Sequence, residues 1–207
     1  MLTEIPIFPL NIVVFPLSKY PLHIFEERYK KMISRCLKEK IGFGIVTKIE
    51  NELSKIGGFV EIEDILQKFD NGEMDISVQG KGRFLIKKVY PHTDKYLVAE
   101  ITEYNDLNSV VSPSLLIELQ NSFERIIEKT NFQLEETFWK NYEETGLKSF
   151  KLAEKSGLTL KQQQDLLTIR DENKRVNYLI NHYENLEKEI TVSSTIRNLV
   201  MNDGYIN

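Results

Sequence analysis

Few residues in this chain could do chemistry, and their spacing converges on none. The histidines are His23, His92 and His182. No His-x-His, His-x3-His or His-Glu-x2-His pattern brings ligands together, so neither metal nor cofactor is expected. Cys36 is the single cysteine, which leaves no intrachain disulfide. It falls on an apolar stripe, where burial raises a thiol's pKa and makes it inert. A serine nucleophile wants a glycine elbow, and no Gly-x-Ser-x-Gly occurs; Ser193-Ser194 lie near the polar end. Gly80-Lys81-Gly82 lacks the earlier glycine and the following helix of a phosphate loop, so it reads as a glycine-flanked turn between two strands. Gly42-Phe43-Gly44 lacks the rest of a dinucleotide fingerprint. A hydrolase would need titratable groups around one pocket, with His23, Glu26 and Arg28 as candidates. Glu26 and Arg28 are two apart, a spacing that does not face across a helix, so each is expected to tie to something else.

One basic cluster stands out: Lys81, Arg83, Lys87 and Lys88, with Phe84 among them. Such a strand could hold RNA, with the aromatic ring as a stacking platform. It could equally be a solvated edge whose lysines deter edge-to-edge pairing. The net charge of -4 and pI near 5.6 favour the second.

The elements that would position these residues come in two halves. The first alternates with period two. Met74, Ile76 and Val78 share one face of a strand, and further strands run through "GFGIVTKI", "GGFVEIEDILQKF", "GRFLIKKVY" and "KYLVAEITEY". Asp70-Asn71-Gly72 is a hairpin signal. One helix interrupts them, with Phe25, Tyr29, Met32, Ile33, Cys36 and Leu37 as its apolar stripe and Gly42 after its end. From Ser112-Pro113 onward the period becomes 3.6, with a capping box at Thr159 and Gln162 and a last stripe of Val176, Leu179, Ile180 and Tyr183. A chain of 207 residues with 41% hydrophobic residues can bury a core without staples. No apolar run approaches the ~20 residues of a membrane span. The single thiol fits a reducing cytoplasm. Four of the six prolines, Pro6, Pro9, Pro16 and Pro21, break the apolar stretch between Glu4 and Tyr29, which suits short extended pieces at edges and corners.

That stretch also carries a resemblance. Ile5-Pro6-Ile7-Phe8-Pro9-Leu10, then Val13-Val14-Phe15-Pro16, then Pro21-Leu22-His23-Ile24-Phe25-Glu26-Glu27-Arg28-Tyr29 is similar to the start of the amino-terminal substrate-binding domain of Lon-type ATP-dependent proteases. The similarity extends over about residues 1 to 190, more loosely around Phe132 to Ser149. It implies an α+β fold: a PUA-like, mainly antiparallel β-barrel with one inserted helix over 1–110, a helical bundle over 111–190 and a tail over 191–207. It implies a free-standing domain of that family without the ATPase and protease modules.

The resemblance further implies a non-catalytic module that recognises polypeptides in a proteolytic setting in the cytoplasm. The implied partners are unfolded or extended polypeptide segments and a protease or chaperone, with neither membrane nor nucleic acid. Phe8, Phe15 and Leu22 in the proline-rich stretch, and Phe138 and Trp139 in the helical half, are the candidate contact residues. An RNA-binding PUA-like module using the strand near Arg83 is the alternative.

Overall fold

The structure, a computed structural model, describes residues 3–107, 110–130 and 132–202. These divide into two compact units. Unit 1 comprises Met1–Leu107 and Gly157–Arg170; unit 2 comprises Asn108–Ser156 and Asp171–Asn207.

Unit 1 contains β1 (Thr3–Leu10), β2 (Lys19–Ile24), α1 (Glu27–Glu39), β3 (Phe43–Ile49), β4 (Glu52–Leu53), β5 (Ile56–Lys68), β6 (Met74–Pro91), β7 (Leu97–Glu103) and α5 (Leu160–Thr168). The seven strands form one sheet in the order β1-β7-β6-β5-β3-β4, with β2 on β6. Every ladder is antiparallel except β1–β3. That parallel pairing brings the path back to its first strand, whereas β2 and β4 are each paired on one side. The sheet thus keeps open edges in place of the fully closed wall that a barrel implies.

The prolines follow the ladders. Pro6 lies where β1 pairs only β7, Pro9 where β1 pairs only β3, and Pro21 on β2, which pairs only β6. A residue without an N–H is tolerated where one side of the strand needs no donor. The Asp70-Asn71-Gly72 turn forms as expected, with Gly72 at φ 79°. Gly80-Lys81-Gly82 is no turn: it lies inside the 18-residue strand β6. Gly80 is there because Phe15 crosses it. A Cβ at Gly80 would collide with the Phe15 carbonyl oxygen, whereas one at Gly82 would meet no atom within 4 Å.

Helix α1 buries Tyr29, Met32, Ile33 and Cys36 against the sheet. It stops at Lys40, which adopts the left-handed conformation at φ 54° and donates its N–H to the Cys36 carbonyl. Gly42 is therefore not the stop; it lies tight against Phe59 and the Val60 carbonyl. Phe25 is not on the stripe either. It precedes the helix and is 58% exposed. Cys36 is buried, and burial pushes its thiol up to about 11.

α5 has the expected capping box between Thr159 and Gln162. It belongs with the sheet, although its period places it in the helical half. Gln164 donates to the Ile56 carbonyl at 3.0 Å, and Leu166 and Leu167 are buried.

Unit 2 holds α2 (Pro113–Thr130), α3 (Glu136–Glu144), α4 (Lys148–Ala153) and α6 (Glu172–Asn202). α2 and α4 pack on α6, and α3 on α4. Ser112 caps α2, its hydroxyl accepting from the Leu115 N–H at 3.3 Å. The expected tail over 191–207 is helical through Asn202, as a continuation of α6, and its remainder lies outside the described residues. Arg175 is 0% exposed. Its guanidinium donates to Glu172 at 2.8 and 2.5 Å and to Ser149 at 3.0 Å, and it stacks over Phe150 at 4.3 Å. Glu172 also accepts from the Ser149 N–H at 3.0 Å and hydroxyl at 2.7 Å. The buried ions are therefore paired and hydrogen-bonded, which burial demands.

Three outcomes follow from these contacts. Gly80→Ala is expected to cost about 1–3 kcal/mol in urea unfolding, as overpacking does, while Gly82→Ala stays within about 0.5 kcal/mol, as for a surface site. Glu172→Ala removes the carboxylate that neutralises a buried guanidinium and is expected to cost about 3–5 kcal/mol in unit 2, read by thermal and urea melts. Cys36 in the folded chain is expected to alkylate at pH 8.5 about a hundredfold more slowly than in urea, following its thiolate fraction. The sign for stability follows from a raised value. The thiol's contribution is complete below its ordinary value of 9.0 and is lost as pH rises toward 11.

Candidate functional site

The proline-punctuated stretch and the start of α1 enclose a groove in unit 1. Its volume is about 530 Å3, within the range of small-ligand and peptide side-chain pockets. β1 contributes Phe8, Pro9 and Leu10; the β2–α1 junction contributes His23, Phe25, Glu26, Arg28 and Tyr29; the β3–β4 hairpin and β7 complete it with Lys48, Leu53 and Leu97.

Its floor is a stacked pair. The Phe8 and Tyr29 rings lie 3.9 Å apart at 28°, and both are 6% exposed. Burial raises the Tyr29 phenol above its ordinary value, against the opposing pull of Arg28. The Arg28 guanidinium covers that ring at 4.7 Å and binds Glu26 through two nitrogens, at 2.7 and 2.9 Å. Glu26 is the residue before the first turn of α1, with extended φ and ψ of -72° and 135°. The helical two-residue spacing rule does not apply to it, so Glu26 and Arg28 do face each other.

Phe25 forms one lip. Its ring stacks on His23 at 5.8 Å, and Phe69 meets His23 edge-on at 6.0 Å. His23 is oriented by Asp75, whose carboxylate is 2.7 Å from Nδ1, and by Glu73, 3.5 Å from Nε2. Lys48 also lines the groove and is exposed. The groove therefore offers an apolar floor, an exposed aromatic lip and a charged rim.

His23, Glu26 and Arg28 do line one cavity, as a hydrolase would require. Each is committed to a partner, Arg28 to Glu26 and His23 to Asp75, and no serine, threonine or cysteine lines the groove. Among the described residues no group of histidine, cysteine or carboxylate side chains could hold a metal ion.

Of the residues singled out from sequence, Phe8 lines this groove. Leu22 is half-buried and packs on the main core. Phe15 is 1% exposed and lies inside the structure. Phe138 and Trp139 lie on α3 of unit 2. Phe138 is buried, with its ring 6.1 Å from Phe123, and half-buried Trp139 meets Phe138, Phe123 and Tyr142 edge-on. Sequence reasoning missed Phe25 as a lip. A hydrophobic residue just ahead of Glu26-Glu27 was the available sign that it precedes the helix.

The basic strand does not offer Arg83 or Phe84 as nucleic-acid contacts. Arg83 is 6% exposed, donates to the Leu167 and Ile169 carbonyls at 2.5 and 2.8 Å, and is paired with Asp106. Lys81 is 3.8 Å from Glu61, and Phe84, the supposed platform, is 1% exposed. The guanidinium ties α5 to the sheet.

No helix of the described residues is long and apolar enough to cross a membrane. The family model for the substrate-binding domain of ATP-dependent protease La (LON) matches residues 4–185. A Lon protease of Syntrophomonas wolfei is 27% identical over 203 residues, covering 91% of this chain and 24% of that protein, so the chain spans about a quarter of that relative's length. Among solved structures, the Lon N-terminal domain protein from Xanthomonas campestris superposes with TM-score 0.68 at 23% identity, over 86% of this chain and 98% of that one. The N-terminal domain of the Mycobacterium avium complex Lon protease superposes with TM-score 0.66 at 16% identity, over 88% and 98%. These two show a shared fold. With the family model spanning most of its length, the chain belongs to the Lon substrate-binding domain family.

Proposed function

We propose that this chain is a non-catalytic polypeptide-recognition module. It takes extended or unfolded segments in the groove between Phe8, Phe25 and Leu53 and presents them to a protease or chaperone. The observation that carries this is the exposed Phe25, held by His23 over a floor already built from the Phe8–Tyr29 stack. An aromatic ring left 58% exposed beside an apolar recess gains by covering, about 1.5–3 kcal/mol for full burial. β2 and β4 each carry a ladder on one side only, so an extended segment could add main-chain hydrogen bonds there. Membership of a substrate-binding family supports the same reading. The proposal also takes the sheet as PUA-like, takes the helices of unit 2 as a bundle, and places the protein in the cytoplasm. Phe8 remains a contact residue in it, as part of the floor; Phe15 and Phe138 do not.

The test uses an unfolded, fluorescently labelled polypeptide titrated by anisotropy. Phe25→Ala is expected to weaken binding about 5- to 100-fold, as loss of a buried aromatic anchor does, with an unchanged melt. Phe132→Ala, an equally exposed ring in unit 2, is the control and is expected to change nothing. Equal effects of the two substitutions would sink the groove as the site.

A further inference from the structure

The hairpin between β5 and β6 turns through Asn71-Gly72, a pairing of asparagine with a following glycine that occurs once in the sequence. With no Cβ on the glycine, its backbone nitrogen can approach the asparagine side chain closely. In such a pair the glycine nitrogen can bond to the asparagine Cγ. The Cγ–Nδ2 bond then breaks, and the glycine amide proton leaves with Nδ2 as ammonia. Water opens the resulting cyclic imide at either carbonyl. One opening leaves aspartate. The other leaves isoaspartate, whose main chain is lengthened by the former side-chain methylene.

Here the groups of that reaction are all held. The Gly72 N–H donates to the Phe69 carbonyl at 2.9 Å. That bond retains the proton the nitrogen must lose before it attacks. The Asn71 side chain is fixed through Oδ1, which accepts from the Glu73 N–H at 3.1 Å. The Asn71 carbonyl accepts from the Lys30 ammonium at 3.0 Å. Lys30 reaches the turn from α1, with 14% of its side chain exposed, and Glu27 holds the same ammonium at 2.9 Å. The lysine stem lies along the turn: a Cβ at Gly72 would be 3.9 Å from the Lys30 Cδ and Nζ. Asn71 and Gly72 are both exposed. Hydrogen bonding, not burial, is what protects the pair.

We propose that Asn71 is a guarded deamidation site. Its amide is retained while Lys30 holds the end of the hairpin, and it is lost when that end opens. Isoaspartate makes the opening permanent. A lengthened main chain no longer fits a turn in which Gly72 donates to Phe69 and the Phe69 N–H donates to the Glu73 carbonyl at 2.9 Å. The change is transmitted along β6. Glu73 directly follows the turn, Asp75 comes next but one, and their carboxylates face His23 at 3.5 and 2.7 Å. Deamidation thereby reaches the imidazole on which Phe25 stacks.

The test incubates the full chain and a synthetic peptide of residues 69–81 in the same mildly alkaline buffer. Trypsin releases that segment from the chain between Lys68 and Lys81, and mass spectrometry reads the loss of the Asn71 amide. The folded chain is expected to lose it about tenfold or more slowly than the peptide, and to match the peptide in urea, as local opening requires. Lys30→Gln should speed the loss in the folded chain about threefold or more, through easier opening of the turn. Lys30→Arg, which keeps a donor, should stay slow. Cys36 should alkylate as slowly in Lys30→Gln as in the parent chain, because α1 remains folded. In the isoaspartate form the His23 imidazole resonances should shift while those of His92 and His182 do not. The proposal is overturned if the folded chain and the peptide react equally fast, or if Lys30→Gln reacts no faster than the parent. Faster Cys36 alkylation in Lys30→Gln would assign the protection to α1 as a whole and overturn the role of Lys30. Unchanged His23 resonances in the isoaspartate form would overturn the link to the lip.

Discussion

The segment from Ile12 to Ser18 crosses the sheet at a distance that only glycine permits, and unit 1 is arranged around that crossing. The Val14 carbonyl lies where a Cβ of Gly58 on β5 would be, and the Phe15 carbonyl where one of Gly80 on β6 would be. The crossing is hydrogen-bonded on both sides. Thr47 donates to the Ile12 carbonyl at 3.0 Å, Leu17 donates to Gly80 at 2.8 Å, and Gly80 donates back to Ser18 at 2.9 Å. Leu17 adopts φ 70° to make the return, a conformation that costs a non-glycine residue about 1–2 kcal/mol. Val13, Val14 and Phe15, each at most 2% exposed, offset that cost by burial. Because this segment joins β1 to β2, its position sets where Phe8 and Phe25 stand, and with them the floor and lip of the groove.

A second constraint is the treatment of buried charge. Arg83 in unit 1 and Arg175 in unit 2 are both withdrawn from water. Each guanidinium spreads its donors over fixed acceptors, backbone carbonyls and Asp106 in one case, Glu172 and Ser149 in the other. A planar fork with five donors can satisfy such acceptors from one position, where a lysine ammonium has only three donors. Arg83 thereby carries α5, distant in sequence, onto the sheet. That connection explains why a segment with plain helical periodicity belongs to the strand-rich unit.

Local patterns were legible and long-range ones were not. The alternation of Met74, Ile76 and Val78, the Asn71-Gly72 turn and the Thr159 capping box each express a requirement met within a few residues, so the sequence shows them directly. The ordered motif from Ile5 to Tyr29 disclosed the family. Gly80-Lys81-Gly82 misled because its glycines answer to Phe15, 65 positions away, rather than to a local turn. Arg83 misled for the same reason, since its acceptors lie beyond residue 100. Phe25 sits at a spacing compatible with the α1 stripe, which outweighed the acidic pair Glu26-Glu27 as a helix-start sign, and the extended backbone of Glu26 places it outside the helix. Phe8, by contrast, belongs to the motif that names the family, and that motif also builds the groove's floor.

The groove differs from the core beside it in one physical respect: which aromatic rings are finished. Tyr29 is stacked on Phe8 and covered by Arg28, whose charge is neutralised by Glu26. Phe25 has only the edge of its surroundings covered, through His23, and His23 is itself oriented by Asp75 on β6. A single exposed hydrophobe needs no explanation on an ordinary surface. Here, however, the ring stacks on His23, itself hydrogen-bonded to Asp75. A ring already seated against a neighbour has less conformational entropy to lose on contact with a partner. The fold thus places its order at the lip and leaves the ring's outer surface as the part still to be covered.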